Sequence, residues 1–258
     1  MKKHLLILLT CLFASSMLFA QNTHFTTSGT IEFEKKVNMY GVIKKVINKD
    51  NESWYAPAFE SYKKTNPQFK TLKSTLTFGG NKTLYAPIAD DAPPSNSWFS
   101  DMPLAQQLNT VYTDLNTRFS ITGKKVFDEA FLMKDTTRHI TWKITDETRE
   151  IAGYMCRRAN AVVMDSIYVV AFYSEEIPVS GGPESFTGLP GMILGVALPH
   201  ENVTWFATKV TDLPVAEASL KAPAKGKVVT YNGLKTTLAK AMENWGEYGK
   251  KFFKIYLL

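Results

Sequence analysis

The chain has 258 residues, of which 45% are hydrophobic and 12% aromatic, so it carries enough apolar material for a large core. Its formal charge is +6, or +4 without Lys2 and Lys3, which is too small an excess to indicate nucleic-acid binding. If Cys11 is removed with a leader sequence, Cys156 stands alone and an internal disulfide is excluded.

Residues 1–20 have the pattern of a cleavable signal peptide. Lys2 and Lys3 precede an apolar run at residues 5–13, and small residues lead to Ala20. This run is shorter than the ~20 residues that a transmembrane helix needs. We therefore predict export and a mature chain that begins near Gln21. A lipoprotein signal ending at Cys11 is the alternative.

The mature chain begins with an alternating stretch at residues 30–39, which predicts a strand. Its apolar residues share one face of that strand; they are Ile31, Phe33, Val37 and Met39. A short helix follows, because Tyr55, Phe59 and Tyr62 have helical spacing and Asn66-Pro67 ends the pattern.

Strands then dominate up to residue 210. A stripe at 72–78 and the run 83–85 are joined by Gly79-Gly80-Asn81, which predicts a hairpin. Residues 90–97 are polar and rich in proline, and they predict a loop. Further strands are predicted at about 110–115, 118–131, 138–144, 151–161, 166–173, 192–197 and 203–210.

The last predicted element is a C-terminal amphipathic helix over about 232–256, after an exposed connector at 221–227. Asn232 is a suitable cap, and apolar residues from Leu234 to Tyr256 follow the helical period. We expect this face to pack on the sheet. Because the helix also carries several lysines, contact with a membrane surface is the alternative.

These elements predict a mainly β (α+β) fold with residues 21–258 in a single domain. Strands separated by short turns must be mostly antiparallel, since parallel neighbours need long crossovers. We expect one large, curved antiparallel sheet, as an open or partial barrel, with a short helix in the N-terminal half and the C-terminal helix. No transmembrane helix is expected in the mature chain.

The most unusual segment is residues 177–194, which contains three prolines and four glycines between two predicted strands. Its glycines and prolines favour a bend that packs tightly. The alternative is a loop that binds a ligand or partner. The candidate residues for that loop are Gly181, Gly182, Pro183, Glu184, Phe186, Gly188, Leu189, Pro190 and Gly191.

The hexapeptide Gly188-Leu189-Pro190-Gly191-Met192-Ile193 resembles the one after which the GLPGLI family of exported Gram-negative envelope proteins is named; Met192 replaces a leucine. Further strings in the family's order extend the resemblance over about 121–210. These are residues 140–144, 151–156, 171–173, 177–178 and 182–183. The resemblance implies a β-rich fold and a location in the periplasm or at the outer membrane. It implies no catalytic residues.

The sequence contains no catalytic or metal-binding constellation. Leu189 stands where a phosphate-binding loop needs lysine, and no Gly-x-Ser-x-Gly string occurs. His24, His139 and His200 lack partners at metal-ligand spacing. Cys156 is expected to be a buried, inert thiol. We therefore predict no cofactor and no metal, and we do not expect enzyme activity. An enzyme is the third possibility, which a pocket with converging polar groups would favour.

Two functions of different class remain. The first is a non-enzymatic binding or accessory protein that acts with an outer-membrane partner. The second is a periplasmic carrier that holds a lipid or other apolar ligand in the cavity of a curved sheet.

Overall fold

The computed structural model of the chain describes residues 25–89 and 97–258. The predicted signal peptide, His24 and most of the predicted loop at 90–97 lie outside the described residues. In the described ranges, no helix is long and apolar enough to cross a membrane.

One sheet organises the described residues, as the alternation predicts, and it contains twelve strands in the order β12-β6-β5-β4-β3-β2-β1-β11-β10-β9-β8-β7. The strands are β1 (Gly29–Asn38), β2 (Phe69–Gly79), β3 (Lys82–Pro87), β4 (Asn109–Asp114), β5 (Phe119–Val126), β6 (Glu129–Thr136), β7 (Lys143–Ile151), β8 (Tyr154–Val163), β9 (Ile167–Ser174), β10 (Met192–Leu198), β11 (Val203–Thr211) and β12 (Lys227–Val229).

The predicted large antiparallel sheet is confirmed, with one parallel pair that the sequence did not indicate. Strand β12 runs parallel to β6, with Val228 opposite Leu132. The connector after β11 returns the chain to the far edge of the sheet, and a connection of this length permits either direction. The sheet is therefore mixed at its β12 edge.

The connection between β6 and β7 shows how strongly the sheet curves. These strands lie ten strand spacings apart in the sheet, which is ~48 Å if the sheet were flat. The chain from Thr136 to Lys143 can span only ~25 Å. The two ends of the sheet must therefore approach each other, although they do not pair and the sheet stays open.

Three predicted strands differ in detail, two because they contain a turn and one because part of it connects the two ends of the sheet. The stretch at 151–161 contains the turn between β7 and β8, where Ala152 and Gly153 have positive φ. The stretch at 118–131 contains the turn between β5 and β6, where Phe127 has a φ of +54°. Residues 138–142 are not a strand, because they cross the gap between the ends of the sheet and have no neighbour to pair with. The predicted hairpin between β2 and β3 is confirmed, with positive φ at Gly80 and Asn81.

Four helices complete the described fold: α1 (Met39–Val46), α2 (Glu52–Thr65), α3 (Tyr231–Ala241) and α4 (Gly246–Leu257). Helix α2 buries Tyr55, Phe59 and Tyr62, as their spacing predicts. The sequence did not indicate α1. It begins at Met39, which we assigned to the first strand, and the Asn38 side chain accepts a hydrogen bond from the Gly41 amide.

The predicted C-terminal helix is two helices, because the chain breaks before Gly246, which has a φ of +54°. Thr230 rather than Asn232 caps α3, accepting from the Gly233 amide at 3.1 Å. The expected apolar face is buried in one hydrophobic core with the sheet. Its buried members are Leu234, Leu238, Met242, Phe252 and Tyr256.

Candidate functional site

The glycine- and proline-rich segment between β9 and β10 packs into the main core of the protein. Seven of its nine candidate residues are buried, and only Gly188 and Pro190 are exposed. Phe186 and Leu189 belong to the main core. A partner could therefore touch few of these side chains from outside. The ligand role that we assigned to the segment stays a prediction, and its buried side chains direct attention to the interior of the sheet.

Two glycines allow this close packing. A Cβ at Gly191 would lie 2.0 Å from the Ser174 carbonyl oxygen. A Cβ at Gly182 would lie 2.6 Å from the Phe186 carbonyl oxygen. No larger residue fits either place without moving backbone. The segment also closes on itself, since the Ile193 amide donates to the Gly181 carbonyl at 2.9 Å.

Three side-chain hydrogen bonds tie the segment to distant parts of the chain. The Trp142 indole donates to the Thr187 carbonyl at 2.9 Å. The Ser185 hydroxyl donates to the Leu258 carbonyl at 3.1 Å. The Asn109 amide donates to the Glu184 carboxylate at 2.7 Å. The segment is thus held by β4, by the crossing connection and by the end of α4.

Glu184 belongs to a group of buried polar side chains that we call the buried charge cluster. Its members are Lys35, Asn109, Lys124 and Glu184. Both lysines are only 4% exposed. The Lys35 ammonium donates to the Gln106 carbonyl and lies 5.3 Å from the ring centroid of Trp205. The cluster therefore holds two lysines and one carboxylate away from water.

Burial changes the titration of this cluster. It lowers the pKa of Lys35 to about 8; Glu184 opposes that shift and Lys70 adds to it. It likewise lowers the pKa of Lys124 to about 8; Glu184 again opposes the shift, while Arg138 and Lys35 add to it. At neutral pH both lysines stay mainly protonated, so the cluster carries an excess of positive charge.

Neither lysine was among the predicted site residues, although the alternation of apolar residues in β1 and β5 contains the signal. Lys35 lies on the same face of β1 as Ile31, Phe33 and Val37, because side chains alternate along a strand, and this face is buried. Lys124 shares the inner face of β5 with Val126. A lysine at an inward position of a half-buried strand is rare without a partner.

A second feature is what we call the seam cleft, which lies where the two ends of the curved sheet approach each other. Its volume is about 710 Å³. One wall comes from β4, β5 and β6, and the other from the end of β8 and the turn that follows it. The crossing connection, Ser185 and the start of α3 complete the lining.

The lining of the seam cleft is mixed in character. Val111, Met133 and Val162 are apolar, whereas Asp135, Arg138 and Asp165 are charged. The remaining polar lining consists mainly of hydroxyl groups, from Ser120, Thr122, Thr136, Thr137 and Ser185. This mixture suits a ligand with both apolar and polar parts better than a purely apolar one.

The charged residues of the cleft are partly engaged by the protein. The Asp135 carboxylate accepts from the Tyr231 amide at 2.9 Å, which fixes the start of α3 to β6. The Arg138 guanidinium donates to the Leu257 carbonyl at 2.7 Å and lies 5.7 Å from the Tyr231 ring centroid. Burial lowers the pKa of Arg138. These contacts give the cleft a fixed shape.

The other residues considered for chemistry lie apart. His139 lines the cleft, whereas His200 lies in a short 3-10 helix after β10. Within residues 25–89 and 97–258, no group of three or more histidine, cysteine, aspartate or glutamate side chains is placed to hold a metal ion. Cys156 is buried, and burial raises the pKa of its thiol to about 12.

Residues 161–195 match a family model described as a protein of unknown function, Porph_ging. The matched part runs from the end of β8 into β10 and includes the glycine- and proline-rich segment. It covers a small fraction of the chain, so it is a similarity of this part and assigns no activity. Among curated proteins, no sequence matches the chain.

The chain is also similar in backbone to two solved structures. PNGF-II, in its P21 crystal form, is 16% identical with a TM-score of 0.48 over 79% of this chain and 32% of that chain. An uncharacterized conserved protein from Thermus thermophilus is 7% identical with a TM-score of 0.38, over 84% of this chain and 98% of that chain. The chain spans about a third of the length of PNGF-II. At these levels the likeness bears on no activity.

Proposed function

We propose that this chain is a non-enzymatic binding protein of the Gram-negative cell envelope that holds a small organic ligand in the seam cleft. The volume of the cleft, about 710 Å³, carries this proposal. Pockets that enclose small molecules typically measure ~300–1,000 Å³ and combine an apolar lining with a few fixed polar groups.

The ligand class follows from the lining. Val111, Met133 and Val162 offer apolar contact, and the hydroxyl groups, Asp135 and Arg138 offer hydrogen bonds. We therefore assign an amphipathic molecule, with a polar group near Arg138 and an apolar part along the sheet. This narrows the idea of a carrier for apolar ligands, because a purely apolar molecule would leave the polar lining without partners.

Export and family membership belong to the same proposal. The pattern of residues 1–20 supports export to the periplasm or to the outer membrane. The hexapeptide at 188–193 supports membership of the GLPGLI family, and it lies within the part of the chain that matches a family of unknown function.

The cleft can be tested by narrowing it with Val162→Trp. Val162 is 60% exposed at the rim of the cleft, so a larger side chain is expected to leave the fold intact. Mass spectrometry of organic extracts from the purified protein is expected to find a small organic molecule with wild type. The variant should retain about tenfold less of it, which corresponds to ~1.4 kcal/mol of binding free energy.

Val228→Trp is the matched control, because Val228 is 62% exposed but lies on β12 outside the cleft. It should retain the molecule like wild type. A wild-type protein without any extracted molecule, or equal retention by Val162→Trp, would contradict the proposal.

A second candidate is binding of an outer-membrane protein, and one surface feature favours it. Trp54 and Trp98 are 50% and 58% exposed, and their rings stack with centroids 5.2 Å apart. Tyr55 stacks on Trp98 from the same helix that carries Trp54. Exposed tryptophans are enriched among the residues that dominate protein–protein binding energy.

This candidate predicts that Trp98→Ala weakens binding to a partner identified by cross-linking in the cell envelope. The loss should be ~30-fold, as for a dominant interface residue. Leu213→Ala is the control, since Leu213 is an exposed apolar residue elsewhere on the surface. Equal affinity of Trp98→Ala and wild type, measured by titration with the purified partner, would contradict it.

A further inference from the structure

A small cavity adjoins the buried charge cluster, and it is separate from the seam cleft. Its volume is about 30 Å³. The polar residues that line it are Lys35, Gln106, Asn109, Lys124, Glu184 and Trp205. A cavity of this size has room for a water molecule or a monoatomic ion but not for an organic ligand.

Several buried polar groups at this cavity lack partners. Lys124 is only 4% exposed, and the described residues show no hydrogen bond or ion pair for its ammonium, which interacts with Glu184 only through the longer-range attraction of their charges. The Asn109 side-chain oxygen also lacks a hydrogen-bond partner. The Trp205 indole N–H makes no hydrogen bond of good geometry, although the buried Tyr85 hydroxyl lies close to it. Unpaired buried groups are costly, and an unpaired buried ammonium is the most costly of these.

The charges around the cavity do not balance. Lys35 and Lys124 each contribute a positive charge, and Glu184 contributes one negative charge. Arg138 lies near enough to act on Lys124 electrostatically and adds to the positive potential. A water molecule in the cavity would supply hydrogen bonds but would leave the excess charge. A monovalent anion would supply both a hydrogen-bond acceptor and the missing charge.

We propose that this cavity is a binding site for one small monovalent inorganic anion of the size of chloride. Lys124 is its principal ligand, and Lys35 and the Trp205 indole supply the other donors. Asn109 lies directly opposite Lys124 in the pairing of β4 with β5, so the two side chains border the same cavity. This site goes beyond the ligand proposed for the seam cleft and does not depend on it.

The first test is equilibrium unfolding of the full protein at pH 7 in mixtures of sodium chloride and sodium gluconate of constant ionic strength. Gluconate is too large for the cavity. With a chloride dissociation constant of ~10 mM, the ratio of unfolded to folded protein should fall about tenfold between 1 and 100 mM chloride. Lys124→Met should abolish this dependence, because it removes the principal ligand.

Lys125→Met is the matched control, since Lys125 is the next residue of β5 and points to the exposed face. It should keep the wild-type chloride dependence. If Lys124→Met does not fold, the wild-type protein alone decides the outcome. Its stability should depend on chloride at pH 7, and this dependence should disappear above pH 9, where Lys124 is neutral. A wild-type protein indifferent to chloride would overturn the proposal, as would a dependence that Lys125→Met removes.

Crystals grown in sodium bromide provide a second, direct readout. Anomalous scattering should place a bromide ion in the cavity, within contact distance of the Lys124 ammonium and absent from Lys124→Met crystals. A water-sized peak without anomalous signal would overturn the proposal in favour of a buried water.

Discussion

Glu184→Leu is expected to lower the free energy of unfolding at pH 7 by about 3–5 kcal/mol, as is typical when one partner of a buried charged group is removed. Glu184 is the only carboxylate among the described residues of the buried charge cluster, and it acts on both Lys35 and Lys124. In chloride-free buffer, its removal leaves the two buried ammonium groups of Lys35 and Lys124 without a counter-charge. Urea unfolding with tryptophan fluorescence measures the loss.

The same variant should recover part of its stability as the pH rises. The pKa of each lysine is about 8 in the folded protein, against a usual value of 10.5. Between these values the unfolded chain binds more protons than the folded one, so the free energy of unfolding rises with pH in wild type. In Glu184→Leu the lysines lose their protons at lower pH still. The difference from wild type should therefore be largest at low pH and shrink as the pH rises to about 8. Above about pH 9 it should stay constant, because the lysines are then neutral in both folded proteins.

Two further variants identify charge as the cause. Glu176→Leu removes an exposed glutamate near the same segment and should change stability by less than about 0.5 kcal/mol. Adding Lys124→Met to Glu184→Leu should restore a large part of the loss, since one unpaired charge disappears with it. A loss that does not depend on pH, or no recovery in the double variant, would show that Glu184 matters through packing alone.

The sequence indicated the sheet far better than the candidate sites. Alternation at Ile31, Phe33 and Val37 predicts the buried face of β1, because strand periodicity is local. The same local rule places Lys35 inward. It cannot reveal that Glu184 lies beside Lys35, since that contact depends on how the segment after β9 crosses the curved sheet. The seam cleft could not be predicted from the sequence either, because it forms between strands that lie near opposite edges of the sheet.

The break between α3 and α4 shows a similar limit. Leu238, Met242 and Phe252 continue one helical period through residues that the structure places outside both helices. Periodicity records which side chains reach the core, and both helices bury theirs against the same core. It does not record whether the backbone between them stays helical.

The second large effect is expected at Gly191. A Cβ there would lie 2.0 Å from the Ser174 carbonyl oxygen and 3.0 Å from the Glu175 Cα, and both neighbours are backbone atoms. To admit it, β10 would have to move away from β9 at the pair formed by Met192 and Ser174. Gly191→Ala should therefore cost about 3 kcal/mol, at the upper end of overpacking, which lowers the melting temperature by ~6–12 °C.

Gly188→Ala is the informative comparison, because it changes the same hexapeptide for a different physical reason. Gly188 has a φ of +95°, but a Cβ there meets nothing closer than 3.7 Å. That variant should suffer only backbone strain, about 1 kcal/mol. Thermal unfolding of the two variants separates the requirement for space at Gly191 from the requirement for a backbone angle at Gly188. If Gly191→Ala melts no lower than Gly188→Ala, close packing of β9 against β10 does not require the hexapeptide. That result would favour a binding role for its exposed residues.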